Sequence, residues 1–325
     1  MANGILIAGL FLILIASEMI LRGGVGLARQ FDVPPLYTGI FVLAILTVMP
    51  ELFVTYGAAT TGHVEMALGG IIGSNLINLL FVIGLGALIH PMASPPKVLF
   101  RDGSALLLGC VGLVVCALEG VVSRQAGAVF LLIFIAYLAL QVMTDWRRAP
   151  DHSVPLARAL LRSQGAMPSV TASFFLLFLG VIVLFLGAHL SVTGGAHLAT
   201  QLGWSETTVG LLMIAAGLSS PKLVVTVVVA VRGEAAVVVG QILTTCAINL
   251  LAVLGLVAVI HPLAIPEQLR HADVFVLAIA SLILLPLLAM HWRLSRPRGV
   301  LLMVAYGCYL GFLLWRQGLP LPWEL

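Results

Sequence analysis

Charged side chains are scarce in this chain. Only 9% of its 325 residues are Asp, Glu, Lys or Arg, whereas 61% are hydrophobic, and the mean hydropathy is +1.15. This shortage excludes the charged surface of a soluble domain and indicates an integral membrane protein, with the lipid bilayer as its first partner. The net charge of +3 does not indicate nucleic-acid binding, because the basic residues lie in loops between apolar stretches.

The chain also lacks the signatures of several function classes. Its four cysteines are scattered through apolar stretches without a CxxC pair, which argues against a disulfide framework or a zinc site. There is no P-loop to power an ATP-driven pump, and no HExxH motif or protease-like pair of carboxylates in an apolar stretch. We therefore expect a protein that is not an enzyme and holds no cofactor.

About ten apolar stretches are long enough to cross a hydrocarbon core of roughly 30 Å. The first has neither a basic leading segment nor a convincing cleavage site, so we interpret it as a membrane span rather than a signal peptide. The stretches cover residues 4–21, 36–61, 66–90, 102–120, 126–143, 170–192, 207–231, 235–260, 273–290 and 298–315.

The basic residues are unevenly distributed between the two sets of loops. Twelve lysines and arginines lie next to loops that follow odd-numbered spans, and three lie next to those that follow even-numbered spans. Because basic loops stay in the cytoplasm, this bias predicts that both termini face outward and that the 144–168 loop is cytoplasmic.

An internal repeat relates the two halves of the chain. At an offset of 171 residues, residues 38–91 align without a gap to residues 209–262, and the shared positions include prolines, glycines and asparagines. Each half holds five spans, an odd number, so the second half must enter the membrane from the opposite side. We predict an all-α membrane protein with two inverted repeats, residues 1–143 and 169–325, joined by the linker 144–168.

Two charged residues lie deep inside predicted spans, Glu51 and Lys222, and they occupy equivalent positions of the repeat. An isolated charge at mid-membrane is costly, so each is the other's best candidate partner. Each directly follows a proline, Pro50 or Pro221, where we expect the helix to break or kink and to expose backbone groups to a ligand.

The third and eighth spans add small polar side chains. Oxygen-bearing groups around one carboxylate suit a hard cation, although amides and hydroxyls in spans also serve simply to join helices. Near the end of the first span, Glu18 precedes Arg22 by four residues, which predicts a local interfacial ion pair. The polar residues of the third and eighth spans are Ser74, Asn75, Asn78, Gln241, Thr244, Thr245 and Asn249.

The paired segments resemble the alpha repeats of the sodium/calcium exchanger superfamily of cation antiporters. The motifs are "LTVMPEL" with "GSNLIN" in the first half and "GLSSPKL" with "TTCAIN" in the second. The resemblance implies ten helices in two inverted halves, with residues 4–21 and 170–192 sliding over the core, in a bacterial-type inner membrane. It places an ion site at Thr47, Glu51, Ser74, Asn78, Ser219, Thr245 and Asn249.

One departure from the family pattern changes the charge of the implied site. Lys222 stands where the second repeat usually carries a glutamate, so the site's net charge changes from about −2 to zero. Exchange of Na⁺ or H⁺ is then favoured and Ca²⁺ becomes doubtful, with Glu51, Asn78 and Asn249 as the candidate metal ligands. Lys222 is either a fixed internal cation or a titrating group.

Two rival functions stay open at this point. A lysine beside a broken helix also suits an anionic or non-metal substrate, and the fold is equally compatible with a non-transporting structural or regulatory role. The sequence does not indicate an oligomeric state.

Overall fold

The computed structural model describes residues 2–31, 44–146, 169–231 and 236–318. Within these ranges nine helices are long and apolar enough to cross a membrane, and a tenth, Ala44–Thr60, is apolar but shorter. The chain is therefore a multi-pass membrane protein, as predicted. Most of the predicted linker, residues 147–168, lies outside the described residues.

The first half contains five helices and two short strands. The helices are α1 (Ala2–Gln30), α2 (Ala44–Thr60), α3 (Val64–Ile89), α4 (Pro96–Glu119) and α5 (Arg124–Trp146). The strands are β1 (Met92–Ala93), between α3 and α4, and β2 (Val121–Val122), between α4 and α5.

The second half repeats this order. Its helices are α6 (Val170–Leu202), α7 (Glu206–Val231), α8, which runs through the segments Ala236–Ile248, Asn249–Val253 and Leu254–Ile260, α9 (Leu269–Ala289) and α10 (Arg296–Arg316). Its strands are β3 (Leu263–Ala264), after α8, and β4 (Arg293–Leu294), after α9.

The strand pairs show that the halves are inverted. β1 pairs with β4, so the loops after α3 and α9 share one membrane face, and β2 pairs with β3, so the loops after α4 and α8 share the other. Repeat-equivalent residues also meet between the halves: the Cys110 thiol donates to the Ser281 hydroxyl at 3.4 Å. Since these two residues are 171 apart, they lie close to the pseudo-two-fold axis.

We call the face reached after the odd-numbered helices the basic face, because the loops rich in Lys and Arg, including β1 and β4, lie there. α3 and α8 are the most buried spans, at 83% and 78% of their apolar windows, whereas α5 and α6 reach only 22%. The centre of the molecule is thus built around α3 and α8, with the other helices outside them.

α1 and α6 pack against each other along most of their length. A Cβ added at Gly9 would lie 2.5 Å from the backbone nitrogen of Ser191, and one at Gly194 would lie 2.5 Å from that of Leu6. Only glycine permits this approach. At 29 and 33 residues, the two helices are roughly 44 and 50 Å long, well beyond the thickness of a bilayer core.

The helix break expected at each proline does not occur. α2 is helical through Pro50, and α7 is helical from Ala215 to Val231 through Pro221. A proline deprives the carbonyl four residues earlier of its backbone donor. Before Pro221 that carbonyl belongs to Gly217, and it accepts a hydrogen bond from the Ser220 hydroxyl at 2.6 Å, which replaces the missing donor.

The irregular backbone lies instead in π-helical turns. Ile77–Val82 in α3 and Asn249–Val253 in α8 occupy corresponding places in the repeat, and further such turns lie at Gly210–Ile214 in α7 and Leu269–Asp273 in α9. Turns of this kind are frequent at functional sites, because one extra residue per turn redirects side chains and backbone carbonyls. Asn78 and Asn249 both lie in such turns.

Candidate functional site

Glu51 and Lys222 form a buried ion pair at the centre of the molecule. The Lys222 ammonium donates to Oε1 of Glu51 and also to the carbonyl of Leu218, at 3.3 Å. Glu51 is 0% exposed and Lys222 is 7% exposed. The two residues are 171 apart, so the contact joins equivalent positions across the pseudo-two-fold axis, and the predicted partnership is present.

Tight packing between α3 and α7 brings the two halves of the site together. A Cβ at Gly73 would lie 2.4 Å from the carbonyl oxygen of Leu211, and one at Gly210 would lie 2.7 Å from that of Met66. The helices touch through their backbones, as small residues in membrane spans permit. Ser219 of α7 then reaches α3 and donates to the carbonyl of Ser74 at 3.4 Å.

An amide pair connects α3 to α8. Nδ2 of Asn249 donates to Oδ1 of Asn75 at 3.1 Å, and both side chains are fully buried. The repeat-equivalent pair is Asn78 with Cys246, whose thiol is only a weak hydrogen-bonding group. Neither polar atom of the Asn78 amide makes a satisfactory hydrogen bond.

Several buried oxygen atoms at the site remain without partners. Among the described residues, Oε2 of Glu51 and the amide oxygens of Asn78 and Asn249 accept no hydrogen bond. Buried polar atoms normally find partners, so each such group requires a physical explanation. Oxygen atoms of carboxylates and amides are also the donors that hard cations prefer.

The remaining predicted residues lie at different depths. Thr245 is buried, with 3% of its surface exposed. The Ser74 hydroxyl donates a hydrogen bond to the Ile71 carbonyl at 3.1 Å. Thr47 is only partly buried and lines a cavity next to the ion pair. Asn75 joins α3 to α8, which is the helix-joining role that the sequence left open for amides in spans.

A cavity of about 200 Å³ lies next to the ion pair. α1, α2, α7 and α8 contribute its walls, which include Thr47, Lys222 and Gln241. Thr47 and Gln241 both lie near the start of helices that follow basic-face loops. The cavity therefore occupies the half of the membrane nearer the basic face.

Two buried carboxylates were not predicted from the sequence. Asp102 in α4 is 1% exposed and Asp273 in α9 is 0% exposed, although both were placed at the ends of predicted spans. Asp102 accepts from Tyr137 at 2.9 Å and pairs with Arg101 at 2.7 Å. Asp273 lies 171 residues later, and that repeat offset was the signal that could have identified the pair.

Asp273 has corresponding partners near the face opposite the basic face. It accepts from the Tyr309 hydroxyl at 2.9 Å and pairs with Arg316 at 3.0 Å. Each aspartate thus joins two peripheral helices of its own half, α4 with α5 or α9 with α10. The arrangement is that of a structural bond, because both carboxylates already have cationic and hydroxyl partners.

The chain resembles known membrane proteins over most of its length. The family described as sodium/calcium exchanger protein matches residues 1–143 and 172–315. The inner membrane protein YrbG of Escherichia coli K12 is 32% identical over 325 residues, covering 97% of each chain. The putative antiporter CaxA of Alkalimonas amylolytica is 30% identical over 306 residues, covering 92% of this chain and 94% of its own.

A solved structure shares the fold over nearly the whole chain. The sodium-calcium exchanger NCX_Mj, soaked with Na⁺ and Sr²⁺, superimposes with a TM-score of 0.64 at 27% identity. The match covers 95% of this chain and 97% of that one.

Proposed function

We propose, from the premise that this chain belongs to the sodium/calcium exchanger protein family, that it exchanges monovalent cations or protons across a membrane by alternating access. The family makes it an exchanger-type cation transporter and not an enzyme. In our proposal Glu51 binds the transported ion, and Lys222 is a resident cation that occupies the position of a second one.

The observation that carries this proposal is the buried contact between repeat-equivalent residues of opposite charge. Two carboxylates facing each other across the axis would give a charge of about −2, which a divalent ion compensates. With one carboxylate and one ammonium the charge is zero, so a dehydrated Ca²⁺ would meet repulsion from Lys222 without net countercharge. A monovalent ion carries half the charge of Ca²⁺ and therefore meets half the repulsion from Lys222.

The oxygen atoms of the site are suitable ligands for a small hard cation. The candidate ligands are Oε2 of Glu51 and the amide oxygens of Asn78 and Asn249, all of them buried and without hydrogen bonds among the described residues. Na⁺ and H⁺ are the ions that we favour, and Ca²⁺ is the ion that we disfavour. Thr47, Ser219 and Thr245 complete the proposed site through their hydroxyl groups.

The cavity supports the access route. It lies beside Lys222 in the half of the membrane nearer the basic face, so in our proposal ions enter from that side in this conformation. By the positive-inside rule the basic face is cytoplasmic and both termini lie outside. We place the protein in a bacterial-type inner membrane, where its relative YrbG is also found by its name.

The anionic-substrate alternative is weaker in this geometry. An anion would need surplus positive charge, but the Lys222 ammonium is already neutralised by Glu51. Another lysine or arginine is absent from the described residues that line the cavity.

Ion flux into liposomes tests the proposal. Purified protein is reconstituted, and uptake of ²²Na⁺ and a pH-sensitive dye signal are recorded for the wild type, Glu51→Gln and the control Glu119→Gln, whose carboxylate is exposed at the end of α4. We expect flux in the wild type and in Glu119→Gln and its loss in Glu51→Gln. Flux unchanged by Glu51→Gln, or no flux of Na⁺ or H⁺ by the wild type, refutes the proposal.

A further inference from the structure

The cavity beside the ion pair holds a second carboxylate that the site described above does not use. Glu18 of α1 lines the same cavity as Lys222, and these two are its only charged residues among the described lining residues. Most of the other walls are apolar, formed by residues such as Leu14, Leu46 and Val225. A carboxylate and an ammonium thus line one small, mostly apolar cavity.

Cation binding at Glu51 can deprive the Lys222 ammonium of its carboxylate partner. When a transported cation binds Oε2 and then takes Oε1 of Glu51 as well, the ammonium loses its main acceptor while its side chain stays 93% buried. The carbonyl of Leu218, at 3.3 Å, is then the one recorded acceptor that it keeps. A buried charge without a countercharge is strongly unfavourable, so the ammonium needs another carboxylate within reach.

We propose that Glu18 is the alternative partner of Lys222 and pairs with its ammonium when a cation occupies Glu51. At present Glu18 pairs with Arg22 one helical turn away, as its spacing predicted, but both side chains are more than half exposed, at 53% and 57%. Exposed pairs of this kind contribute little stability. Loss of the Arg22 contact therefore costs Glu18 little, and the desolvation of its carboxylate is offset by the buried ammonium that it pairs with.

The charges then fit a monovalent ion. Once Glu18 leaves Arg22, whose side chain is 57% exposed and can be solvated, the charges of Glu51, Glu18 and Lys222 sum to −1, which one monovalent cation neutralises and one divalent cation reverses. This inference rests on the proposed function and deepens it, because it gives the second carboxylate of the site a location on α1 instead of α7. Glu18 is a positioning residue in this account, since it acts on the transported ion through Lys222.

The exchange of partners also ties ion occupancy to one helix. Glu51 and Lys222 lie on α2 and α7, whereas Glu18 lies on α1, which packs against α6. Movement of the ammonium from Glu51 to Glu18 transfers its ion pair from the contact between α7 and α2 to the contact between α7 and α1. The position of α1 therefore depends on whether a cation is bound.

Cross-linking with a water-soluble carbodiimide tests the inference independently of transport. This reagent joins a lysine amine to a carboxylate only when the two are in contact, and mass spectrometry of the digested protein identifies the linked peptides. In sodium-free choline buffer we expect the Lys222–Glu51 link. In Na⁺ buffer we expect that link to fall and a Lys222–Glu18 link to rise by about tenfold, the change that a typical coupling energy gives.

Two variants sharpen the cross-linking experiment. Glu51→Gln removes the first partner permanently, so the Lys222–Glu18 link is expected in it without any sodium. Arg22→Gln keeps the Glu18 carboxylate and is expected to retain the sodium-dependent link. Absence of the Lys222–Glu18 link both from Glu51→Gln and from the wild type in Na⁺ overturns the inference.

A flux measurement separates this inference from the proposed function. Glu18→Gln is expected to lower ²²Na⁺ flux at saturating Na⁺ by about tenfold, and the same change in a Lys222→Met background is expected to have little further effect. Equal effects of Glu18→Gln in both backgrounds overturn the inference and leave the proposed function standing. No flux in the wild type instead refutes the proposed function, whatever links the carbodiimide forms.

Discussion

At the scale of single residues, the ion pair shows how a duplicated site can lose its symmetry. The two halves place Glu51 and Lys222 in equivalent positions, and the fold brings them into direct contact. A second carboxylate at residue 222 would repel Glu51 unless an ion lay between the two. The ammonium removes that repulsion without an ion, so the folded protein can keep its centre intact between transport events.

The first prediction concerns the stability of this pair. Lys222→Met leaves the Glu51 carboxylate buried and unpaired in sodium-free buffer, which is expected to lower the stability by about 3–5 kcal/mol. Adding Glu51→Gln to Lys222→Met removes the unpaired buried charge and should restore most of the lost stability. Thermal unfolding in detergent, followed by tryptophan fluorescence, measures both variants.

The control for this prediction is the exposed pair on α1. Glu18→Gln removes a partner of Arg22 that is 53% exposed, and we expect a change of about 0–1 kcal/mol. If Lys222→Met unfolded at the wild-type temperature, or if the double variant were less stable than Lys222→Met alone, the pair would not hold the centre together.

Part of the site could be predicted at this scale, and part could not. Contact between Glu51 and Lys222 followed from the repeat, because equivalent charged residues of opposite sign have few other partners in an apolar core. The unpaired amide of Asn78 could not be foreseen, because it depends on which face of α8 presents Cys246. Asp102 was missed because a carboxylate near the end of a span is normally solvated.

At the scale of helices, α1 and α6 form one closely packed unit outside the central helices. Glycine at residues 9 and 194 lets the two backbones approach, and the pair is long enough to extend past the bilayer core on either side. Close backbone contact at these glycines opposes shear between the two helices and favours their movement as a unit. The sliding implied by the family resemblance would therefore involve both helices together.

The second prediction tests this packing. Gly9→Ala adds a Cβ that would lie 2.5 Å from the backbone nitrogen of Ser191, so α1 and α6 must separate. We expect a loss of about 1–3 kcal/mol, typical of overpacking, seen as a lower unfolding temperature in detergent. The matched control is Gly4→Ala on the same helix, where the added Cβ meets no atom within 4 Å. Equal effects of the two changes would contradict the packing.

The positions of the helices followed from hydropathy far better than their internal geometry. Predicted and observed spans agree within a few residues for α7 and α8, because long apolar runs must be helical in lipid. The π-helical turns at Ile77–Val82 and Asn249–Val253 leave no mark in composition, since they depend on packing between the two halves. The helix break predicted at Pro221 does not occur, because the Ser220 hydroxyl replaces the missing backbone donor.

At the scale of the whole molecule, inversion of the repeat determines where access to the site can arise. The strand pairs β1–β4 and β3–β2 are equivalent and lie on opposite faces. By this symmetry, a route of access from one face to the site can have a counterpart from the other face. In this structure the cavity lies on the basic side of the ion pair. An exchanger needs both routes in turn, and an inverted repeat provides them from one folding unit.

The third prediction concerns orientation. Thr61→Cys, in the exposed loop after α2, should react with a membrane-impermeant maleimide on intact cells. Pro95→Cys, exposed just before α4 on the basic face, should react only after the membrane is permeabilised. Labelling of Pro95→Cys but not Thr61→Cys in intact cells would reverse the assigned topology.

The central claim is that Lys222 takes the place of a second negative charge and so excludes divalent ions. Its most direct test is ⁴⁵Ca²⁺ uptake by liposomes that contain either the wild type or Lys222→Glu. We predict little uptake by the wild type and a gain of about tenfold or more in Lys222→Glu, where two carboxylates again face each other. Robust Ca²⁺ exchange by the wild type would contradict the claim.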